Sequence, residues 1–300
     1  DLPTRYSHPA PLVALMEQSV GKEQIETVLK ANNETPQTAV QINILKAKTT
    51  EIQSQLQSGG AEVRQHPWMP DCLLLQGTGD LESLQAFQAG AFYIQDPAAR
   101  AAVLAAGPEP GMQVLDACAA PGGKSFACAI TMGDRGEVLS CDIHTHKKAL
   151  IDAGARRLGL TSIRSAVQDA KVRREDWTEG FDLVLADVPC SGLGIIRKKP
   201  DIRYKDPAPL EGLPAIQRAI LDNVSGYVRP GGVLLYSTCT LLERENGAVV
   251  DGFLAAHPEY APEPFTLPGP AGEAPEGRLT LWPHIHDTDG FFIAKLRRHP

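Results

Sequence analysis

The sequence predicts an α/β protein, a doubly wound and mostly parallel sheet with helices on both faces, preceded by a small mixed α/β domain. Three observations carry this. From residue 112 onward short apolar runs alternate with helical stretches. Those stretches, such as KALIDAGARRLG and PAIQRAILDNVSGYV, have the length of crossovers between parallel strands. Finally, GPEPG places Gly107, Pro108, Pro110 and Gly111 where a helix should stop and a strand begin, dividing 1–107 from 108–300.

Taken in order, PLVALMEQSVGKEQIETVLKANN and TTEIQSQLQSG read as amphipathic helices, DCLLLQG as a short apolar segment and LESLQAFQAG as a further helix. Beyond the punctuation, MQVLDACAA, GEVLSCDI, SIRSAVQD, FDLVLADVPC, GGVLLYSTCT and FFIAKL are the strands. Doubly wound sheets bind ligands beyond the carboxyl ends of their strands. That rule singles out Asp116, Asp142, Asp169, Asp187, Cys190 and Cys239.

Composition sets limits on function. A 300-residue chain that is 43% hydrophobic can build two cores. Its six cysteines contain no CxxC pair, so reduced thiols in the cytoplasm are expected rather than a disulfide framework. No apolar run approaches the roughly 20 residues a membrane helix needs. The formal net charge of −7 excludes a surface that binds nucleic acid indiscriminately; any polyanion must meet a local patch. The chain opens DLPTRYSHPAP, without an initiator Met or a signal segment, and reads as a fragment whose natural start lies upstream.

The first strand end runs into Cys118-Ala119-Ala120-Pro121-Gly122-Gly123-Lys124, a turn stripped of bulk that lets backbone amides approach a ligand. It matches neither GxGxxG nor GxxxxGK[ST], so dinucleotide and triphosphate readings lack their spacing. Asp142 lies 26 residues after Asp116, where a carboxylate accepts hydrogen bonds from a ribose, and Asp169 falls beside the base of such a nucleoside. Each alone is as readily a turn or helix cap; together with the loop they point to an adenosine-containing cofactor.

Asp187-Val188-Pro189-Cys190 ends one strand and Ser237-Thr238-Cys239-Thr240 ends the next. An isolated cysteine is more often a buried core residue. Two at neighbouring strand ends, one beside an aspartate, point instead to a shared crevice.

These residues resemble one family. DACAAPGGKS, DVPCSG and STCT are similar to the cofactor loop and the two cysteine motifs of the RNA cytosine-C5 methyltransferases. RYSHP, Gln95-Asp96, IRKKPDIR and DGFFIAKL resemble its members that act on 16S ribosomal RNA. The likeness spans nearly the whole chain except about 258–285, which is rich in Pro and Gly. It implies a Rossmann-like class I methyltransferase with a seven-stranded, mostly parallel sheet, S-adenosyl-L-methionine as cofactor, and 16S ribosomal RNA, short of the fully assembled small subunit, as partner. An antitermination-factor-like RNA-binding domain upstream of Asp1 is implied to be missing. The resemblance makes Cys239 the nucleophile, Cys190 the helper in product release and Asp187 the holder of the cytosine edge. Asp142 and Asp169 hold ribose and adenine, and Cys118 to Lys124 with Asp187 line the cofactor.

The implied chemistry needs these residue types. Carbon 5 of cytosine is a weak nucleophile, but a thiolate adding at carbon 6 pushes electron density onto it. A carboxyl group bonded to the exocyclic amine stabilises that addition and selects cytosine over uracil. A DNA cytosine methyltransferase uses a strand-end Pro-Cys, which makes Cys190 the rival nucleophile; the resemblance favours Cys239.

Charge is unevenly placed. Residues 144–174 carry net +6 and 197–205 net +4, leaving −17 for the remainder. The first stretch reads most simply as a solvated helix face. The second follows Cys190 and contains Tyr204, suited to holding phosphates and stacking a base. Lys147, Arg197, Lys198, Lys199 and Arg203 are the candidate RNA contacts, and a monomer that binds neither DNA nor membrane is expected. His144/His146 and His284/His286 lack Cys or carboxylate neighbours at metal-site spacing, so no metal is expected. Departures from the family pattern are Gln41 before Ile42-Asn43, Thr288 before Asp289-Gly290, and Glu243-Arg244 before Glu245-Asn246, which predicts a differently shaped segment after Cys239. Other readings are a cytosine-C5 methyltransferase for tRNA or another rRNA site, a nucleotide-dependent oxidoreductase, and an inactive rRNA-binding module.

Overall fold

The computed structural model describes residues 1–206 and 208–300. Three short helices, α1 (Leu2–Tyr6), α2 (Ala10–Val20) and α3 (Ile25–Ala31), lead into β1 (Thr38–Ile42), α4 (Thr49–Ser58), β2 (Glu62–Gln65), β3 (Cys72–Gln76), α5 (Gln85–Gln88) and β4 (Phe92–Ile94). These four strands form an antiparallel sheet in the order β2-β3-β1-β4. α6 (Pro97–Ala106) follows, and its sequence explains its ends. The Asp96 carboxylate accepts from the Ala98 amide at 2.8 Å, Pro97 suits a first turn, and Gly107 closes the helix at φ 68°.

The second sheet begins after this helix, with β5 (Gln113–Asp116), α7 (Gly123–Thr131), β6 (Glu137–Asp142), α8 (Thr145–Leu158), β7 (Ile163–Val167), β8 (Phe181–Asp187), α9 (Leu213–Ser225) and β9 (Val228–Thr238). The chain continues through α10 (Gly247–Ala256), β10 (Tyr260–Pro262), β11 (Phe265–Leu267), β12 (Gly272–Ala274), β13 (Arg278–Leu281), α11 (Pro283–His286) and β14 (Phe291–Arg298). Seven strands run in line as β10-β14-β9-β8-β5-β6-β7, with β7, β6, β5, β8 and β9 mutually parallel and β14 antiparallel to β9. An eighth, β13, pairs with β14 off that line, so the sheet exceeds the expected seven strands by one. The 258–285 stretch is ordered: it holds β10, β13 and the separate β11-β12 pair.

β5, β6, β8 and β9 are largely buried on both faces, as their Val, Leu and Ala content requires, whereas β7 at the sheet edge is partly exposed. α6 and α7 cover one face through Ala102, Val103, Ala127 and Ile130; α9 and α10 cover the other through Leu221, Val224, Val250 and Phe253. The order reverses between β5 and β8, which places the crevice at the ends of these strands.

A third apolar cluster joins the amino-terminal helices to that crevice. Met16, Val28 and Leu29 pack with Leu193 and Ile196 of the loop after Cys190, and with Leu241 and Leu242 after Cys239. Burying a side chain of this size contributes about 1.5–3 kcal/mol, so the floor beneath both cysteine loops is firmly fixed. Asn43 adds a polar tie, donating to the Gly90 and Leu158 carbonyls at 3.0 Å each. Gln41 donates to the Gln95 carbonyl at 3.1 Å and is buried, an internal contact rather than an exposed one.

Candidate active site

The loop from Cys118 to Lys124 passes from β5 into α7. The Ala119 amide bonds the Cys141 carbonyl at 2.7 Å, which ties the loop to the neighbouring strand. Gly122 adopts φ 113°, and a Cβ there would sit 2.4 Å from the Phe126 ring. A Cβ on Gly123 would lie 2.9 Å from the Gln95 amide nitrogen. The left-handed backbone at Gly122 calls for glycine, and a side chain at Gly123 would have to displace the Gln95 amide. Because Gly122 offers no side chain to cap α7, the amides of its first turn are left for a ligand.

Asp116, completely buried, lies beneath the loop. One carboxylate oxygen accepts from the Ser125 hydroxyl at 2.7 Å, and that hydroxyl accepts from Ser140 at 2.7 Å. Its other oxygen is buried without a partner. Asp142, also buried, accepts from the His144 amide at 2.9 Å, with the Lys147 ammonium 3.8 Å away. Asp169 accepts from the Lys171 amide at 2.9 Å. Unpartnered amides, an unpartnered carboxylate oxygen and two strand-end aspartates suit a cofactor with amino-acid and nucleoside ends. Cys118 packs against the core beneath the loop, and burial pushes its thiol well up, which makes it part of the scaffold.

Burial pushes the Asp116 carboxyl from 3.8 up to about 6, against the Ser125 hydrogen bond and the Lys124 charge. The folded chain therefore binds this proton more tightly than the unfolded chain. The stabilisation is fully present below about pH 3.8 and is lost as pH rises through about 6. Asp116→Asn removes the titration, so the variant gains on the order of 2 kcal/mol on the wild type between pH 4 and pH 7. Ligand-free thermal unfolding across that range measures the gain; a stability difference that stays flat with pH contradicts it.

The two cysteines meet at the ends of β8 and β9. Their sulfurs are 3.3 Å apart although 49 residues separate them in sequence. The hydrogen bond from Cys190 holds the Cys239 thiol below its ordinary value, against burial and the Asp187 charge and with help from Lys124. Cys190 moves the opposite way, well above the ordinary value, through the same hydrogen bond, burial and the charges of Cys239 and Glu245. The shared hydrogen bond therefore favours the proton on Cys190 and the anion on Cys239.

Asp187 stands beside them. Its carboxylate accepts from the Lys124 ammonium at 2.7 Å and the Ser237 hydroxyl at 2.7 Å. Burial works against the Lys124 charge, but Asp187 outweighs it and raises the ammonium's pKa. Lys124, expected only as part of the cofactor loop, thus joins that loop to the cysteines.

The basic segment after Cys190 departs from expectation. The side chains of Arg197 and Lys198 are only 10% and 27% exposed and turn inward: Arg197 lies 3.4 Å from Asp289, and Lys198 bridges Asp289, at 2.9 Å, and Asp96. Burial, with Asp96 nearby, pushes the Asp289 carboxyl up to about 7 against the pull of Lys198 and Arg197. A buried two-carboxylate, two-cation cluster cannot be an open phosphate contact, so these two cations brace the lobes instead. Lys199 is exposed, Tyr204 is 70% exposed, and Arg203 donates to the Ser7 carbonyl at 3.2 Å. Among the described residues, no group of three His, Cys, Asp or Glu side chains is placed to hold a metal.

Sequence reasoning missed Asp96, Asp289, Gln217 and Glu245 as parts of this region. In the sequence, Gln95-Asp96, DGFF and Glu245-Asn246 carry only a resemblance to family motifs, with no role attached.

Comparison with known proteins agrees with this architecture. Residues 102–297 match the pattern described as 16S rRNA methyltransferase RsmB/F, and residues 8–82 match the RsmF/B-like ferredoxin-like domain. A probable ribosomal RNA small subunit methyltransferase B of Bacillus subtilis is 39% identical, over 99% of this chain and 68% of its own length. The chain therefore spans about two thirds of that relative. The crystal structure of PH0851 superposes with a TM-score of 0.94 at 31% identity, covering 99% of this chain and 67% of that one. A methyltransferase homolog from Pyrococcus horikoshii superposes with a TM-score of 0.83 at 25% identity, covering 99% and 98%. With its catalytic sheet and its amino-terminal domain both matched, the chain belongs to the RsmB/F family of 16S rRNA methyltransferases.

Proposed function

We propose that this protein transfers a methyl group from S-adenosyl-L-methionine to carbon 5 of a cytosine in 16S ribosomal RNA, with Cys239 as nucleophile. The observation that carries the reading is the approach of the Cys190 and Cys239 sulfurs to 3.3 Å beside the Lys124–Asp187 ion pair. Gly122, Gly123 and the first turn of α7, with Asp142 and Asp169, hold the cofactor, which when bound supplies an electrophilic methyl group.

The chain's own residues do the rest. The Cys239 sulfur forms a bond to carbon 6 of the cytosine, and the electron pair of the 5,6 double bond shifts to make carbon 5 nucleophilic. Asp187 meets the exocyclic amine and ring nitrogen, and Lys124 keeps that carboxylate in place. After methylation a base takes the carbon 5 proton, the electron pair left behind re-forms the 5,6 double bond, the carbon 6–sulfur bond breaks and Cys239 departs as thiolate. Cys190, hydrogen-bonded to that sulfur at rest, stabilises it as it leaves.

The target base has to be unstacked to reach this crevice. Lys147 beside the cofactor aspartate, with Lys199, Arg203 and Tyr204 beyond the Cys190 loop, are the RNA contacts. No helix among the described residues is long and apolar enough to cross a membrane; we read the protein as a cytoplasmic monomer. Incubation with methyl-labelled donor and unmethylated 16S transcript is expected to yield 5-methylcytosine at one position. Label in another base, or none with the full-length chain, would overturn the proposal.

A further inference from the structure

We propose that Glu245 and Asn246 are positioning residues, one for each cysteine: Glu245 fixes Cys190, and Asn246 fixes Cys239. The inference deepens the function proposed above and rests on it. Cys190 and Cys239 lie on separate loops, so the approach of their sulfurs must be imposed by whatever holds those loops.

The contacts divide by residue. The Glu245 carboxylate accepts from the Ser191 amide at 2.9 Å and from the Gln217 side-chain amide at 2.9 Å. Gln217 also donates to the Pro189 carbonyl at 3.0 Å. The residues immediately before and after Cys190 are thus held by one carboxylate and its amide partner. Asn246 does the same across Cys239: its carbonyl oxygen accepts from the Thr238 hydroxyl at 2.5 Å, and its amide donates to the Thr240 carbonyl at 3.0 Å. The Ser191 and Thr240 hydroxyls meet at 2.7 Å and lock the halves together. Tyr236 anchors the device to β9 by donating to the Glu245 carbonyl at 2.5 Å.

Stability alone does not account for Glu245. Its side chain is wholly buried, and its second carboxylate oxygen has no partner. A buried carboxylate so incompletely bonded costs free energy relative to an apolar residue of similar size. Its position returns a function: with the Cys239 hydrogen bond and burial, the charge behind the Pro189-Cys190-Ser191 turn helps to keep the proton on Cys190.

The division predicts different kinetic lesions. With a 16S transcript containing 5-fluorocytidine, elimination is blocked and adduct formation is read alone; with the natural transcript, turnover includes release. Glu245→Gln is expected to change adduct formation by less than about 3-fold, slow turnover at least about 10-fold, and move Cys190 alkylation by iodoacetamide to lower pH. Asn246→Ala is expected to slow adduct formation itself by about 10-fold or more and leave the Cys190 alkylation profile in place. In a Cys190→Ala background, Glu245→Gln adds no further loss of turnover, and Asn246→Ala still slows adduct formation.

Thermal unfolding reports whether each variant folds. Should Glu245→Gln not unfold cooperatively, Gln217→Leu removes the Pro189 contact and carries the same expectation of slowed release. Equal losses of both steps in Glu245→Gln and Asn246→Ala, or additivity of Glu245→Gln with Cys190→Ala, would overturn the assignment. Retention of adducts by Cys239→Ala would instead overturn the underlying function, while the alkylation profiles would still test the clamp.

Discussion

Cys239→Ala is expected to abolish both methyl transfer and covalent attachment to RNA, whereas Cys190→Ala still forms the adduct and fails to release it. The two sulfurs are 3.3 Å apart, so position alone does not distinguish their roles. Protonation does. The hydrogen bond between them favours the anion on Cys239 and the proton on Cys190, and the thiolate is the nucleophile. Denaturing electrophoresis of enzyme mixed with labelled 16S transcript separates the outcomes: an RNA-linked band that accumulates in Cys190→Ala and is missing in Cys239→Ala. Loss of turnover in each variant should exceed about 1,000-fold, since covalent catalysis has no substitute path here. The reverse pattern of bands would assign the nucleophile to Cys190.

The second large effect lies in the ion pair. Lys124→Met and Asp187→Asn should each lower methyl transfer by about 100-fold or more, the scale on which a positioned charge acts in a closed site. Their effects on Cys239 are opposite in sign. The Lys124 charge holds the Cys239 thiol down and the Asp187 charge pushes it up. Losing the lysine therefore moves Cys239 alkylation to higher pH, and neutralising the aspartate moves it to lower pH. Rates of iodoacetamide modification at Cys239 across pH 6 to 10, followed by peptide mass, read both shifts without RNA. Shifts in the same direction would mean that Lys124 and Asp187 do not bracket the thiolate as the geometry requires.

The sequence was most legible where function sits at strand ends. Asp187, Cys190 and Cys239 follow apolar runs, and doubly wound topology alone brings such positions to one crevice. The alternation of strands and helices likewise sufficed for the parallel sheet. What could not be read was the direction in which a charged side chain points. Arg197 and Lys198 belong to a basic run that looks like a phosphate-binding face. They turn inward because Asp96 and Asp289, 193 residues apart, converge on them. A one-dimensional charge count has no access to that convergence. Glu245 is hidden for a related reason: the departure at Glu243-Arg244 just before it points to an altered segment, yet the Glu245 hydrogen bonds run to Ser191 and Gln217, each distant in sequence. Lys124 was found but set only beside the cofactor, since the turn of α7 that swings it onto Asp187 is a matter of helix phase.

The apolar cluster shared by α2, α3 and the cysteine loops bears on how this protein can be altered or inherited. Leu193 lies three residues beyond Cys190 and Leu241 two beyond Cys239, and both rest on Met16, Val28 and Leu29. The amino-terminal lobe is therefore not an interchangeable cartridge. Recombination that grafts another amino-terminal lobe onto this catalytic sheet has to reproduce that apolar face, or it uncovers the underside of both reactive loops. The lobe and the two cysteine loops are, in this chain, inherited as one packed unit.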